Sequence, residues 1–215
     1  MNKSLIAVAA LGLGYFTVPV VEAKTVYDNA TISLNKSLLE TVEFGDQIIL
    51  DNSFLPLSKL DSFIFQYVGT GFSGNEAAQI KFYKNDGALG KPGSLVFDSG
   101  SFEVPAAPDG ATVDLGDLGV VIVPSSFTWT ISFTGVDAAA GEAAGLSLYG
   151  PVKVGSGFTD YWARSGNDWA LKTIPGSDAS FAALINGTPV IPEPGTVALS
   201  IAGLALLGLR FRRQA

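Results

Sequence analysis

The sequence of 215 residues contains neither cysteine nor histidine. Without cysteine there is no disulfide framework, so the fold must be stabilised by burial and hydrogen bonding. Attachment of lipid through an N-terminal cysteine is excluded for the same reason. Because histidine is missing too, Ser-His-Asp and Cys-His catalytic arrangements cannot form, and zinc sites built from imidazole or thiolate are excluded. Carboxylate chemistry, a serine–lysine pair and oxygen-ligand metal sites stay open.

Charge is also scarce and mostly of one sign. Charged residues make up 15% of the chain against 47% hydrophobic residues, a balance that is typical of a folded module and not of a disordered acidic chain. Between Lys24 and Ile191 there are nine basic and 18 acidic residues. This surplus of acid lacks the basic footprint of a nucleic-acid-binding domain. We expect no nucleic-acid partner.

Helical patterns are rare in the central chain, whereas alternating apolar and polar residues are common. In Ser126–Thr134, four apolar residues alternate with threonine and serine. This period of two predicts a half-buried strand, with Trp129 on its core face. The alanine-rich stretch Asp137–Gly145 contains two glycines and no large apolar stripe, so we expect a long loop there.

Ten more short runs resemble strands, and turn clusters such as 85–87, 91–93, 108–110 and 175–177 separate them. The runs are Glu40–Phe44, Gln47–Leu50, Ser62–Val68, Gln79–Tyr83, Leu95–Asp98, Thr112–Leu115, Val120–Val123, Leu146–Tyr149, Trp169–Lys172 and Phe181–Ile185. Short strands at this spacing predict an all-β domain over residues 24–188. Its expected architecture is a two-sheet antiparallel β-sandwich, with a jelly-roll-like topology as a variant.

The N-terminus reads as a secretory signal peptide over residues 1–23. Lys3 precedes the apolar stretch Leu5–Phe16, and small residues at 21 and 23 flank Glu22 before a cleavage position after Ala23. A charged start, an apolar centre and a small-residue end in this order are the marks of such peptides. A hydrophobic first strand of the domain is the alternative.

The C-terminal segment, residues 189–215, combines three features in a fixed order. An extended linker (189–196) is followed by an apolar run of 13 residues (197–209) and a basic end (210–215). As a helix the run would be roughly 20 Å long, against roughly 30 Å for a bilayer core. The flanking arginines could reach a headgroup layer and fix its orientation, so we expect a short transmembrane helix. A buried core helix is the alternative.

This segment resembles the PEP-CTERM sorting signal of exported bacterial proteins. The residues that carry the likeness are the motif residues Pro192, Glu193, Pro194 and Gly195, the apolar run, and the membrane-stop residues Arg210, Arg212 and Arg213. The resemblance implies processing by an exosortase-like membrane enzyme after transient anchoring by the helix. It further implies a destination at the cell surface or in the extracellular matrix of a biofilm-forming bacterium. We therefore expect an exported protein, and because no catalytic motif is found in the central chain we expect it to be non-catalytic.

An aromatic cluster is the sharpest candidate for ligand binding. Tyr161, Trp162 and Trp169 lie among glycines, where exposed rings could stack on sugars of an extracellular polysaccharide. A carbohydrate-binding module or adhesin is the first alternative function. Packing into the core or over its end is the structural alternative for these rings, because most aromatics in a sandwich are buried.

Acidic residues raise two further questions. Asp109, Asp114 and Asp117, or Asn85 with Asp86, could offer oxygen ligands to calcium, but their spacing fits no EF-hand and turns favour these residue types anyway. A glycosidase that uses two carboxylates is the second alternative function. No glutamate has a sequence context that would raise its pKa. We assign no catalytic residue, no metal and no cofactor.

Overall fold

The computed structural model describes residues 22–51, 57–174 and 180–190. Over these ranges the chain forms 15 β-strands and two three-residue 3-10 helices. The strands form two antiparallel sheets, which confirms the predicted β-sandwich. Glu22–Ile191 form one compact unit. Residues 1–21 of the predicted signal peptide (1–23) and residues 191–215 of the predicted C-terminal segment (189–215) lie outside the described residues.

The first sheet contains eight strands. They are β1 (Lys24–Asp28), β2 (Ser33–Leu39), β4 (Leu57–Thr70), β7 (Ala107–Asp114), β8 (Val121–Pro124), β10 (Ala143–Tyr149), β14 (Ser180–Phe181) and β15 (Ala183–Pro189). The main order is β1-β15-β4-β10-β14, with β2 paired to β10 and both β7 and β8 paired to β4. The long strand β4 is therefore the centre of this sheet.

The second sheet contains seven strands. They are β3 (Phe44–Ile49), β5 (Ala77–Lys84), β6 (Leu95–Glu103), β9 (Ser126–Thr134), β11 (Ser156–Gly157), β12 (Asp160–Ser165) and β13 (Asp168–Thr173). Their order is β13-β12-β3-β9-β5-β6, with β11 paired to β3. The centre of this sheet is the pair β3 and β9, in which Asp46 lies opposite Trp129.

The core lies between the two sheets and is rich in aromatic rings. Phe63 of β4 contacts Trp129 of β9 edge to face, with ring centroids 5.1 Å apart. Phe181 of β14 contacts Phe44 of β3 in the same way, at 5.5 Å. Edge-to-face pairs of this kind add to the stabilisation that burial alone provides. Trp129 is fully buried, which confirms its predicted place in the core.

Strand β9 has the predicted bounds, but it is buried on both faces at its centre. Thr128 and Thr130, on the face away from the core, are as inaccessible as Trp129 between them. A polar network on that face covers them: Thr128 Oγ1 donates to Asn85 Oδ1 and Thr130 Oγ1 donates to Glu43 Oε1. The prediction of a half-buried strand is therefore wrong for this part of β9.

Three local predictions differ from the structure. The run Glu40–Phe44 is a bend that reaches β3 only at Phe44. The expected loop Asp137–Gly145 is shorter, because Asp137 caps the 3-10 helix Ala138–Ala140 and β10 begins at Ala143. The cluster 108–110, predicted as a turn, lies inside β7. The start of β10 and the place of residues 108–110 in β7 are decided by long-range pairing with β4, which the local sequence leaves open.

Strand β6, the last in the order of the second sheet, pairs irregularly with β5. The register between the two strands shifts twice. At the first shift the backbone N–H of Ile80 donates to Ser99 Oγ instead of to a backbone carbonyl. Asp98 Oδ1 also accepts hydrogen bonds from Gln79 Nε2 and from the backbone N–H of Gly100. Side chains thus replace part of the regular backbone ladder on this strand.

Candidate functional site

The predicted aromatic cluster lies on two paired strands and not on glycine-rich loops. Strands β12 and β13 form a hairpin in which Ser165 pairs with Asp168, leaving Gly166 and Asn167 as a two-residue turn. Gly166 has a φ of +63°, which suits glycine at a tight hairpin turn. The prediction that glycine-rich loops display these rings is therefore wrong. A Gly-Asn pair between two apolar runs was the overlooked hairpin signal.

The three rings divide between the two faces of the second sheet, and all are buried. Tyr161 points into the core, packs against Phe181 and is 4% exposed. Trp162 and Trp169 lie on the outer face beside Tyr83 and are 7% and 9% exposed. Since a sugar stacks on an accessible ring face, this burial favours packing as the role of these side chains.

Glu43 is the centre of the polar network on this outer face. Its Oε1 accepts hydrogen bonds from the Tyr83 hydroxyl at 2.9 Å and from Thr130 Oγ1 at 2.8 Å. Its Oε2 accepts from Arg164 at 3.0 Å, and that guanidinium lies 5.6 Å from the Trp169 ring centroid. Burial, followed by the charge of Glu43, raises the pKa of Tyr83 above its usual range. The Glu43 carboxylate therefore joins three strands, β5, β9 and β12, an arrangement that its sequence context does not reveal.

Two other glutamates stabilise loops. Glu76 accepts hydrogen bonds from the backbone N–H groups of Ser73 and Gly74. Burial opposes ionisation of this carboxyl, but the hydrogen bonds prevail and lower its pKa to about 2. Glu142 Oε2 accepts from the backbone N–H of Asp137 at 2.7 Å. Both carboxylates are already engaged by the backbone of their own loops.

Asp46 is the buried carboxyl that the sequence prediction missed. It lies on β3 between Phe44 and Ile48, so strict alternation along the strand already indicates an inward side chain. It is 1% exposed and accepts a hydrogen bond from Ser180 Oγ, which also lies 3.4 Å from the Tyr27 hydroxyl. Burial raises the pKa of Asp46 to about 8. A neutral carboxyl at pH 7 follows from this position.

The acidic turn residues make short local hydrogen bonds. Asp114 Oδ1 accepts from the N–H of Gly116, and Asp117 Oδ1 accepts from the N–H of Gly119, each at 2.8 Å. Asp86 accepts from the backbone and hydroxyl of Ser94. Across residues 22–51, 57–174 and 180–190, no group of three or more acidic side chains is arranged to hold a metal ion. These contacts are the usual turn-forming role of aspartate.

The predicted sorting residues (Pro192, Glu193, Pro194, Gly195, Arg210, Arg212 and Arg213) and the predicted helix 197–209 lie outside the described residues. In the part of the chain that the structure describes, no helix is long and apolar enough to cross a membrane. The last described residue is Val190, whose N–H donates to the carbonyl of Leu57 at 3.1 Å. The backbone is thus paired to β4 as far as Val190, the second residue of the predicted linker 189–196.

Comparison with known proteins separates the tail from the rest of the chain. No curated protein and no solved structure matches this sequence. A family model does match residues 190–214, and that family is the PEP-CTERM protein-sorting motif. The signal indicates an exported protein that is transiently anchored in the membrane and processed by an exosortase. Residues 190–214 are therefore a PEP-CTERM sorting signal.

Proposed function

We propose that this protein is a non-catalytic component of the cell surface or extracellular matrix. The observation that carries the proposal is the sorting motif at residues 190–214. A protein with such a signal leaves the cytoplasm and meets the exosortase at the membrane. What precedes the signal is a β-sandwich, an architecture that hosts many functions and implies none by itself.

The state of the carboxylates supports a non-catalytic role. Glu43 and Glu76 have both oxygens committed to hydrogen bonds or ion pairs within the fold, and Glu142 has one. Asp46 has the raised pKa that a general acid needs, but at 1% exposure its side chain offers no surface to a substrate. A glycosidase needs two carboxyl groups on opposite sides of an accessible sugar site.

In the sorting step, we assign separate tasks to the three parts of the tail. Pro192 and Pro194 restrict the backbone to an extended form on either side of Glu193, which suits recognition by a processing enzyme. The apolar run 197–209 enters the bilayer as a short helix. Arg210, Arg212 and Arg213 stay on the cytoplasmic side, because moving guanidinium groups through hydrocarbon is costly.

The experiment is the intact mass of the exported protein from its own host. The native chain should lose both the N-terminal signal peptide and the C-terminal segment. A double Pro192→Ala, Pro194→Ala variant should keep the apolar run and the arginines, and should stay with the membrane. Pro189→Ala is the matched control, since Pro189 ends β15 and precedes the matched residues. If the double variant is processed like the native chain, the assigned role of Pro192 and Pro194 in recognition is contradicted.

Catalysis is tested separately with a panel of polysaccharides incubated with the full chain. We expect no shortening of any of them. Turnover that disappears in Asp46→Asn or in Glu43→Gln would replace the non-catalytic proposal with a carboxylate glycosidase. The sorting step does not depend on this result, so the two parts of the proposal can fail independently.

A further inference from the structure

A polar groove of about 440 Å³ crosses the outer face of the first sheet. It runs over β7, β4, β10 and β2. Phe65 and Tyr67 of β4 point into the core, so Gln66 and Val68 point the opposite way and form part of the floor. Ser147 and Tyr149 of β10 form the rest.

One wall of the groove is a bulge in β7. Tyr67 pairs with Ala111 and Gly69 pairs with Ala107, so the three residues 108–110 lie opposite Val68 alone. Gly110 has a φ of +91°, and a Cβ placed on it would lie 3.6 Å from Ser147 Oγ. The extra residues therefore bring the β7 backbone close to β10. Bulges of this kind redirect side chains and often flank functional sites.

The opposite wall is a second bulge, in β2. Leu148 pairs with Lys36 and Tyr149 pairs with Ser33, which leaves Leu34 and Asn35 as extra residues. Asn35 has a φ of +52°, an uncommon conformation for a residue with a side chain. Two separate backbone irregularities thus border the same groove. A regular sheet would need neither, and such strain is concentrated at functional positions.

The polar groups of the groove are mostly free. The Tyr149 hydroxyl donates to Gln66 Oε1 at 2.7 Å, which fixes the half-buried ring across the floor. Ser33 Oγ accepts a hydrogen bond from the backbone N–H of Asn35 at 3.1 Å, and five other polar side chains of the groove have no hydrogen-bond or ion-pair partner among the described residues. They are Asn35, Lys36, Ser37, Asp109 and Ser147. The set offers hydroxyls, an amide, one cation and one anion, so it is polar but carries no net charge.

We propose that this groove binds an uncharged polysaccharide. Hydroxyl and amide side chains exchange hydrogen bonds with sugar hydroxyls, and the fixed Tyr149 ring supplies a surface for a sugar face. The balance of one cation and one anion disfavours a strongly charged polymer. This inference rests on the proposed function, because an exported protein meets such polymers outside the cell. It moves the carbohydrate site from the buried rings of the second sheet to the first sheet.

The test is electrophoresis of the full chain, in mild detergent, through gels that contain galactomannan, dextran or alginate. At least one of the two uncharged polymers should retard the native protein, and alginate should not. Ser37→Tyr fills the groove and should weaken the apparent affinity about tenfold or more. The matched control is Ser101→Tyr at an exposed position of β6 in the second sheet, which should behave as the native chain.

Asn35→Gly is the second variant, because glycine tolerates the positive φ while the amide is lost. It should weaken retardation about threefold, and it decides the question if Ser37→Tyr does not fold. Equal retardation of the native chain and of both variants would overturn the proposal, and so would retardation by alginate alone or by no polymer. Failure of sorting, or shortening of the polymers, would contradict the proposed function instead and would leave the binding result intact.

Discussion

The outer faces of the two sheets use polar side chains in opposite ways. On the second sheet, Glu43 accepts hydrogen bonds from Tyr83, Thr130 and Arg164, and the threonines beneath are fully buried. On the first sheet, the polar side chains of the groove are mostly without partners among the described residues, and a bulge borders the groove on each side.

This difference separates a stabilising surface from one that is available to a ligand. Hydrogen bonds that are completed within the protein make a face rigid but leave nothing to offer. Polar groups that still bond to water can exchange that water for a ligand. Aromatic content alone favours the second sheet, where the two tryptophans of the outer face are buried. The following variants test the contrast, beginning with the largest expected effect.

Trp162→Ala should lower the free energy of unfolding by about 3 kcal/mol, because it removes a buried ring that pairs directly across from Gly45. Urea unfolding measures the change. Phe158→Ala is the control and should cost markedly less, since that ring is 39% exposed. Should Trp162→Ala leave stability unchanged but abolish polysaccharide binding, the aromatic cluster would be the binding surface and the contrast between the faces would be reversed.

The pH dependence of stability should report on Asp46, in the core between the two faces. Its pKa is about 8 in the folded protein against 3.8 for the ordinary carboxyl, so the folded state binds the proton more tightly. Stability is then greatest below pH 4 with respect to this group and falls as pH rises towards 8. The slope should reach about 1 kcal/mol per pH unit between pH 5 and 7.

Asp46→Asn is the control for that slope, because the amide keeps the shape and cannot titrate. Urea unfolding of this variant should show a flat profile between pH 5 and 7. Glu76 acts in the other direction and at lower pH: its lowered pKa stabilises the fold above pH 4.5, and this contribution is lost as pH falls towards 2. A native profile as flat as that of Asp46→Asn between pH 5 and 7 would mean that Asp46 is ionised in the fold.

Glu43→Ala should destabilise the protein by about 2 kcal/mol, because it leaves Arg164, Tyr83 and Thr130 without their shared acceptor. Asp109→Ala is the matched change on the first sheet, and it should stay within about 0.5 kcal/mol. Thermal and urea unfolding of the pair measure the contrast directly. Equal losses in the two variants would show that both faces are bonded to the same extent.

Tyr149→Phe should have a small effect on stability, about 0.5 kcal/mol, since only its hydrogen bond to Gln66 in a solvated groove is lost. Tyr161→Phe is the comparison on the second sheet, where the hydroxyl donates to Glu40 at 2.7 Å. We expect the larger loss in Tyr161→Phe. A loss above about 2 kcal/mol for Tyr149→Phe would indicate a groove packed as tightly as the opposite face.

Local sequence patterns predicted the fold class and several strands well. The alternation in Ser126–Thr134 gave the bounds of β9, because a central strand with one core face has a strong period of two. The same patterns did not predict β2, whose apolar residues are interrupted by Asn35 and Lys36 at its bulge. Edge strands with bulges carry weak alternation.

The candidate sites were harder to predict, since they depend on residues that are far apart in sequence. Glu43 meets Thr130 and Arg164 only through the pairing of β3 with β9 and β12. The groove needs bulges in β2 and β7. These two strands lie on either side of the pair β10 and β4, so only the strand pairing brings them to the same groove. The C-terminal signal is the opposite case, because its features follow one another along the chain and need no fold to be recognised.

The irregular pairing of β6 affects how neighbouring copies of the protein can contact one another. The register shifts and the side-chain hydrogen bonds of Asp98 and Ser99 distort β6. The edge that β6 forms is therefore a poor template for a strand from a neighbouring molecule. Exported copies that accumulate at high density would otherwise be at risk of joining their sheets into aggregates. An edge distorted in this way disfavours strand pairing between neighbouring copies, so that each molecule stays separately folded.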